Sequence, residues 1–92
     1  MSNQQEVQGK NEFRDVIVKD VGEIPISDTQ KYRVLVVLDE NTKQLRVSAQ
    51  RWWRKSKLTE WVAGKGFKLD SETAKQFANL ILLGADEMQD LT

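Results

Sequence analysis

Two neighbouring segments, KYRVLVVLD and QLRVSAQRWW, carry the clearest pattern of apolar and polar positions in the chain. The first is almost continuously apolar, and the second alternates between apolar and polar residues, as strands do. The turn-forming residues ENTK separate them, so residues 32–53 are predicted to form a β-hairpin. The preceding segment FRDVIVKDVGEIPI has β-branched residues in partial alternation and Pro25 near its end, which indicates an edge strand or an irregular strand.

After the hairpin, the pattern changes from strand to helix. We predict a loop at RKSK, a short third strand at LTEWV, a turn at AGKG and a fourth strand at FKL. Asp70 or Ser71 can cap a helix that ends at Gly84. The residues expected to pack this helix on the sheet are Ala74, Phe77, Ala78 and Ile81. Residues 1–11 are predicted to be a disordered tail, residues 12–84 the single domain, and residues 85–92 an acidic C-terminal tail.

The second arm of the hairpin has two different faces, because successive side chains of a strand point to opposite sides. One face carries Leu45, Val47, Ala49, Arg51 and Trp53. The other carries Gln44, Arg46, Ser48, Gln50 and Trp52, and its polarity is what a binding surface would have. Trp52 is therefore expected to be the most exposed tryptophan, whereas Trp53 and Trp61 fit a core position and an exposed position equally well.

The last turn of the predicted helix is apolar nearly all round, because Leu80, Leu82 and Leu83 do not fit on the packing stripe. One helix on a small sheet cannot bury so many leucines, so a second subunit is expected to cover them. The alternative is that strand or tail residues cover them. The expected dimer contacts are Phe77, Leu80, Ile81 and Leu83.

Composition narrows the classes of function. The 92 residues contain no Cys and no His, so the chain has no disulfide or thiolate metal site and lacks the commonest general base. We therefore expect neither an enzyme nor a bound metal or cofactor. The longest apolar run, residues 34–38, has five residues, so no membrane span is expected, and the polar start MSNQQEVQGKNE is not a signal peptide. A soluble cytoplasmic protein is the expectation, in the nucleoid or a host-cell cytoplasm.

The net charge is zero, but the charges are unevenly distributed. Residues 43–68 hold eight basic residues and only Glu60 as an acid, giving +7, and the rest of the chain carries −7. All three tryptophans lie within this basic segment. Cations that contact phosphates and flat rings that stack on unpaired bases are the chemistry of single-stranded nucleic-acid binding. The alternative is a basic face that is merely solvated.

The candidate nucleic-acid-binding residues are the basic, aromatic and amide side chains of this segment. They are Lys43, Arg46, Gln50, Arg51, Trp52, Trp53, Arg54, Lys55, Lys57, Trp61, Lys65 and Lys68.

The segments LRVSAQRWW, AGKGFKLD and SETAKQFANLI, in this order and spacing, resemble the positive cofactor four family of transcriptional coactivators. The resemblance covers about residues 32–83, and residues 13–26 are similar to the extra leading strand of the bacterial and phage members. It implies an α+β fold, a curved antiparallel sheet of four to five strands followed by one C-terminal helix through which two copies dimerise. It also implies binding of single-stranded DNA, with Trp53 as the stacking ring and Lys65 as a phosphate contact.

Four positions depart from the family pattern. Asn41 stands where a stacking Phe is frequent, Gln50 where an Arg is usual, Gly64 at an often basic site and Trp61 at one that is often Lys. Affinity would then depend on the remaining cations, with Trp52 or Trp61 replacing the lost ring.

The sequence thus predicts a homodimeric, non-enzymatic protein that binds single-stranded DNA with low sequence specificity. It leaves open whether the protein serves transcription, replication, recombination or repair, and transcription or replication proteins are further candidate partners. The alternative is a protein-interaction module whose basic β-ribbon docks an acidic partner and whose exposed leucines anchor it.

Overall fold

A computed structural model of the chain describes residues 14–92, which form one antiparallel sheet followed by one helix. The elements are β1 (Val16–Ser27), β2 (Gln30–Leu38), β3 (Leu45–Trp53), β4 (Val62–Leu69) and α1 (Ser71–Leu91). The strands are neighbours in chain order, β1-β2-β3-β4. The predicted α+β class and the hairpin over residues 32–53 are confirmed, with four strands in the sheet. The tail predicted at residues 1–11 lies outside the described residues.

Strand β1 lies at one edge of the sheet, as Pro25 predicts. Its pairing with β2 shifts register between Ile17 and Lys19, between Asp20 and Gly22, and between Pro25 and Ser27. Such bulges twist an edge strand and interrupt its unpaired hydrogen-bonding groups, which discourages pairing with the edge of another sheet.

Strand β4 differs from the prediction, because AGKG is part of the strand and not a turn. Residues 54–61 form the connection, and β4 then runs without interruption from Val62 to Leu69, so the separate strands at LTEWV and FKL are wrong. Its register against β3 shifts once, which places Gly64 and Lys65 opposite the single residue Arg51. A Cβ atom on Gly66 would overlap the carbonyl oxygen of Ala49. These glycines therefore serve a β-bulge at which two backbones approach closely.

The core lies on one face of the sheet and contains Leu35, Val37 and Trp52, with Trp61 and Ala63 packed against them. Trp52 is only 7% exposed, so the expectation that it is the most exposed tryptophan is wrong. The polar residues of β3 lie opposite the most apolar positions of β2. The buried Ser48, for example, lies directly opposite Leu35. The guanidinium of Arg33 lies 4.6 Å from the centre of the Trp52 ring, so a basic side chain covers the core.

Helix α1 begins where predicted and ends later. The Asp70 carboxylate accepts a hydrogen bond of 2.8 Å from the backbone N–H of Thr73, and this bond is the main cause that lowers the pKa of Asp70. The predicted stop at Gly84 is wrong, because the helix continues to Leu91 and residues 85–91, expected as an acidic tail, are helical. Gly84 does not have the positive φ of a glycine that ends a helix.

The helix packs on the sheet only near its start. The Phe77 ring lies 5.1 Å from that of Phe67 in β4, whereas Ile81, expected in the packing stripe, is 59% exposed. None of the helix residues is buried in the single chain. The apolar second half of α1 therefore faces solvent unless another chain covers it.

Candidate nucleic-acid interface

Tyr32, Arg51, Trp53, Gly64 and Lys65 line a cleft of about 520 Å³, which we call the aromatic cleft. Tyr32 of β2 lies directly opposite Arg51 of β3, so the two side chains share one face of the sheet. Trp53 follows two residues later on the same face. The two rings are 42% and 39% exposed, so they are open to a ligand on the face opposite the core residues Leu35 and Trp52.

Arg51 is held in place at the edge of this cleft by two hydrogen bonds. Its guanidinium donates to the Tyr32 hydroxyl at 2.9 Å and to the side-chain oxygen of Gln30 at 3.2 Å. The guanidinium carbon is also 5.2 Å from the centre of the Tyr32 ring. Because its position is fixed before a ligand arrives, the exposed Arg51 loses little side-chain entropy when it contacts a phosphate.

The bulge in β4 supplies the second cation of the cleft. Lys65 is one of the two bulge residues and is exposed. Gly64 beside it comes so close to β3 that a Cβ atom there would lie 2.7 Å from the Arg51 carbonyl oxygen and 3.4 Å from Cδ1 of Trp53. A larger residue at position 64 would displace the strand or the Trp53 ring.

Three other candidates, Arg46, Gln50 and Lys68, line a second cavity of about 570 Å³, the polar cavity. Gln50 and Lys68 share the core face of the sheet with Ser48 and Trp52. The charged side chains around this cavity balance, since three are acidic and three are basic: Arg14, Asp15, Asp39, Glu40, Arg46 and Lys68. The residues that line the aromatic cleft therefore carry a net positive charge, whereas those that line the polar cavity carry none.

The ammonium of Lys68 is paired with two carboxylates of the protein, although the side chain is partly open to solvent. Its ammonium lies 3.1 Å from the Asp15 carboxylate and 3.0 Å from the buried Asp39 carboxylate. The hydrogen bond from Lys68, followed by those from the backbone N–H groups of Thr42 and Asn41, lowers the pKa of Asp39 from 3.8 to about 2. The hydrogen bond with Asp39 is also the main cause that raises the pKa of Lys68. Lys68 therefore stabilises the turn after β2, and a phosphate would compete with two carboxylates for its ammonium.

This ion pair predicts an acid-sensitive contribution to folding. A carboxyl group whose pKa falls on folding stabilises the protein above its unfolded pKa, and this contribution is lost as pH falls through the folded pKa. For Asp39 the window runs from 3.8 down to about 2. We expect Asp39→Asn to have a lower melting temperature than the wild type at pH 6 and a smaller further decrease between pH 4 and pH 2. If the melting temperatures of both proteins decrease equally between pH 4 and pH 2, this assignment is contradicted.

The remaining candidates lie away from both cavities. Trp61 has the Lys31 ammonium 4.4 Å and the Arg54 guanidinium 4.2 Å from its ring centre, and Arg54 also donates to the Asp28 carbonyl at 2.8 Å. These contacts fix the connection between β3 and β4, in which Lys55 and Lys57 are exposed. Lys43 lies in the turn between β2 and β3, at the end of the hairpin opposite Trp53.

Comparison with protein families, curated proteins and solved structures finds no match for this chain. Among residues 14–92, no helix combines the length and the apolarity that crossing a membrane requires. The same residues contain no group of three or more acidic, His or Cys side chains that could hold a metal ion. The aromatic cleft is therefore interpreted from its own geometry.

Tyr32 is the residue of the cleft that pattern reasoning missed, although the sequence contained a signal for it. The turn ENTK fixes the register of the hairpin, in which Leu38 pairs with Leu45 and Tyr32 with Arg51. Counting outward from the turn would have placed an aromatic ring beside this arginine. The structure brings together three of the predicted site residues, Arg51, Trp53 and Lys65, and places Trp52 and Trp61 on the core instead.

Proposed function

We propose that this protein is a homodimer that binds single-stranded DNA with low sequence specificity through the aromatic cleft. The observation that carries the proposal is the pairing of two exposed rings, Tyr32 and Trp53, with two cations, Arg51 and Lys65, in a cleft without an acidic residue. The resemblance to the positive cofactor four family supports the roles of Trp53 and Lys65 independently of this geometry.

In the proposed mechanism, the aromatic rings contact bases and the cations contact phosphates. An unpaired base stacks on an exposed ring, which contributes about 1–3 kcal/mol per base without requiring a particular sequence. Arg51 and Lys65 contact the adjoining phosphates and release the counterions condensed on the strand. Paired bases in a duplex are already stacked on their neighbours, so the rings favour single strands.

The exposed apolar side of α1 supports the dimer. Phe77, Ile81, Gly84, Met88 and Leu91 follow one another at intervals of four, three, four and three residues, which is the spacing of a helix–helix seam. Gly84 is the midpoint of this set, and a Cβ atom there would meet nothing within 4 Å in the single chain. In an antiparallel pair that crosses at Gly84, Phe77 would face the partner's Leu91. The seam includes Phe77 and Ile81 of the predicted contacts, with Leu80 and Leu83 beside it.

The decisive experiment compares binding of a single strand of about 20 nucleotides with binding of the corresponding duplex at matched salt, followed by Trp fluorescence. We expect tighter binding to the single strand, with tryptophan quenching. If about 4–6 phosphates are neutralised, the logarithm of affinity should fall with the logarithm of salt concentration at a slope of about −3 to −4. Equal or tighter binding of the duplex would overturn the stacking mechanism. Absence of DNA binding would favour the protein-interaction alternative.

Lys65→Ala tests the phosphate contact within the same titration. We expect weaker binding and a salt slope flatter by about 0.7, because one phosphate contact is lost from a single strand. Lys19→Ala is a matched control, since Lys19 is exposed on β1 and does not line the cleft. Its slope should equal that of the wild type. An unchanged slope for Lys65→Ala would remove Lys65 from the interface.

A further inference from the structure

The connection between β3 and β4, residues 54–61, contains a tightly hydrogen-bonded turn. The backbone N–H of Ser56 donates to Oγ1 of Thr59 at 3.1 Å, and this hydroxyl donates to the Ser56 carbonyl at 3.0 Å. Oγ of Ser56 accepts from the backbone N–H of Leu58 at 3.2 Å. Arg54 donates to the carbonyl of Lys57 within the connection and to that of Asp28, which links the connection to the turn between β1 and β2. The turn therefore holds a fixed shape before any ligand binds.

This turn presents Leu58 to solvent. Leu58 is 96% exposed, more than any other large apolar side chain in residues 14–92. Burying a leucine side chain ordinarily stabilises the folded protein, whereas here the hydrogen bonds of the turn keep Leu58 in solvent. Lys55 and Lys57 precede it in the same turn, and both are exposed. The Lys57 ammonium lies 3.7 Å from the carboxylate of Asp28 in an ion pair that is open to solvent. An apolar tip beside two solvent-exposed cations matches a ligand with an apolar interior and an anionic rim.

We infer that Leu58 is a wedge that inserts between two bases where single-stranded DNA meets a duplex, while Lys55 and Lys57 contact neighbouring phosphates. The inference rests on the proposed function, because the aromatic cleft would hold the emerging single strand. The turn follows directly after Trp53 in the chain, so one continuous segment carries both a ring of the aromatic cleft and the proposed wedge.

The chemistry of base stacks explains why a junction is the favoured target. Rigid apolar side chains, leucine among them, insert between base steps and unstack them, at a cost that other contacts with the DNA offset. That cost is least where a base already lacks a paired neighbour. An acidic protein surface would attract the same lysines, and the experiment distinguishes this alternative because only an unstacked base changes the 2-aminopurine emission.

The experiment measures Leu58→Ser with two DNA probes that share one strand. The first probe is the continuous single strand, and the second is that strand annealed to a shorter complement, with 2-aminopurine at the first paired position. In the wild type we expect tighter binding to the junction and increased 2-aminopurine emission, because the base unstacks. We expect Leu58→Ser to bind the single strand within about twofold of wild type, and to bind the junction about tenfold more weakly without the increase in emission.

Two controls keep the outcome interpretable. Leu58→Met retains an apolar tip and should restore both junction signals, and thermal melts should be unchanged because Leu58 contributes little to the core. If the wild type and Leu58→Ser bind the junction with equal affinity and give equal 2-aminopurine emission, the wedge is overturned. A wild type that binds single strands without preferring the junction also overturns the wedge and leaves the proposed function intact. A wild type that binds no single strand overturns the proposed function itself.

Discussion

Trp53→Ala is expected to weaken binding to single-stranded DNA by about 5-fold to 150-fold, equivalent to about 1–3 kcal/mol for one lost stacking contact. Its salt slope should remain nearly unchanged, because no cation is removed. Trp53 is 39% exposed at the end of β3, so its removal should affect the melting temperature far less than binding. Oligonucleotide titrations at several salt concentrations and thermal melts measure the two effects separately.

Trp52→Ala is the matched comparison, since the two tryptophans are neighbours in one strand and point to opposite faces. Trp52 packs with Leu35 and Val37, so its truncation should destabilise the fold by about 3–5 kcal/mol. Any loss of DNA binding should then follow the unfolded fraction. If instead folded Trp52→Ala binds poorly while Trp53→Ala binds normally, the aromatic cleft is not the binding surface.

Ile81→Asp should convert the proposed dimer to a folded monomer. Ile81 is 59% exposed in the single chain, so an aspartate there is solvated in the monomer and would lose its water only on association. We expect dimer dissociation to be easier by about 3 kcal/mol or more, over a hundredfold in the dissociation constant. Sedimentation at about 10 μM, where a dimer with a dissociation constant of about 1 μM or lower is largely assembled, measures this directly.

Val18→Asp is the control for this experiment, because Val18 is 57% exposed but lies on β1, away from the helix. The Val18 variant should sediment as the wild type does. A wild-type monomer at this concentration would exclude the helix-mediated dimer, and dissociation of the Val18 variant alone would assign the interface to the sheet edge.

The sequence predicted the hairpin, the edge strand and the helix cap because each depends on local chemistry, such as alternation, Pro25 and the carboxylate of Asp70. It also predicted that Trp52 and Trp53 point to opposite faces. It did not reveal which face is buried, because that depends on the partner strand: Leu35 lies opposite the small Ser48, and the long Arg33 side chain covers Trp52. In this case polarity along one strand misidentified the core.

The two glycine errors have a related cause. AGKG has the composition of a tight turn, but Gly66 is required by contact with Ala49, a residue distant in sequence. Gly84 looks like a helix end, yet an interior glycine costs a helix only about 1 kcal/mol and the residues after it continue the apolar seam. Propensity describes a residue's neighbours in the chain, whereas Gly66 depends on the close approach of another backbone, and Gly84 lies within a helix that continues past it.

The exposed second half of α1 also bears on how a charged polymer would reach the protein. Asp86, Glu87 and Asp90 lie near its C-terminal end, where the helix dipole is negative, and the last turn carries no basic residue. The protein extends 53 Å along its longest axis, several times the Debye length of about 10 Å at 0.1 M salt. Under the proposed function, a DNA strand that approaches a single chain would therefore be attracted to residues 43–68 and repelled from the helix end. Separated charges can in this way orient a charged ligand during diffusion even when the net charge is zero.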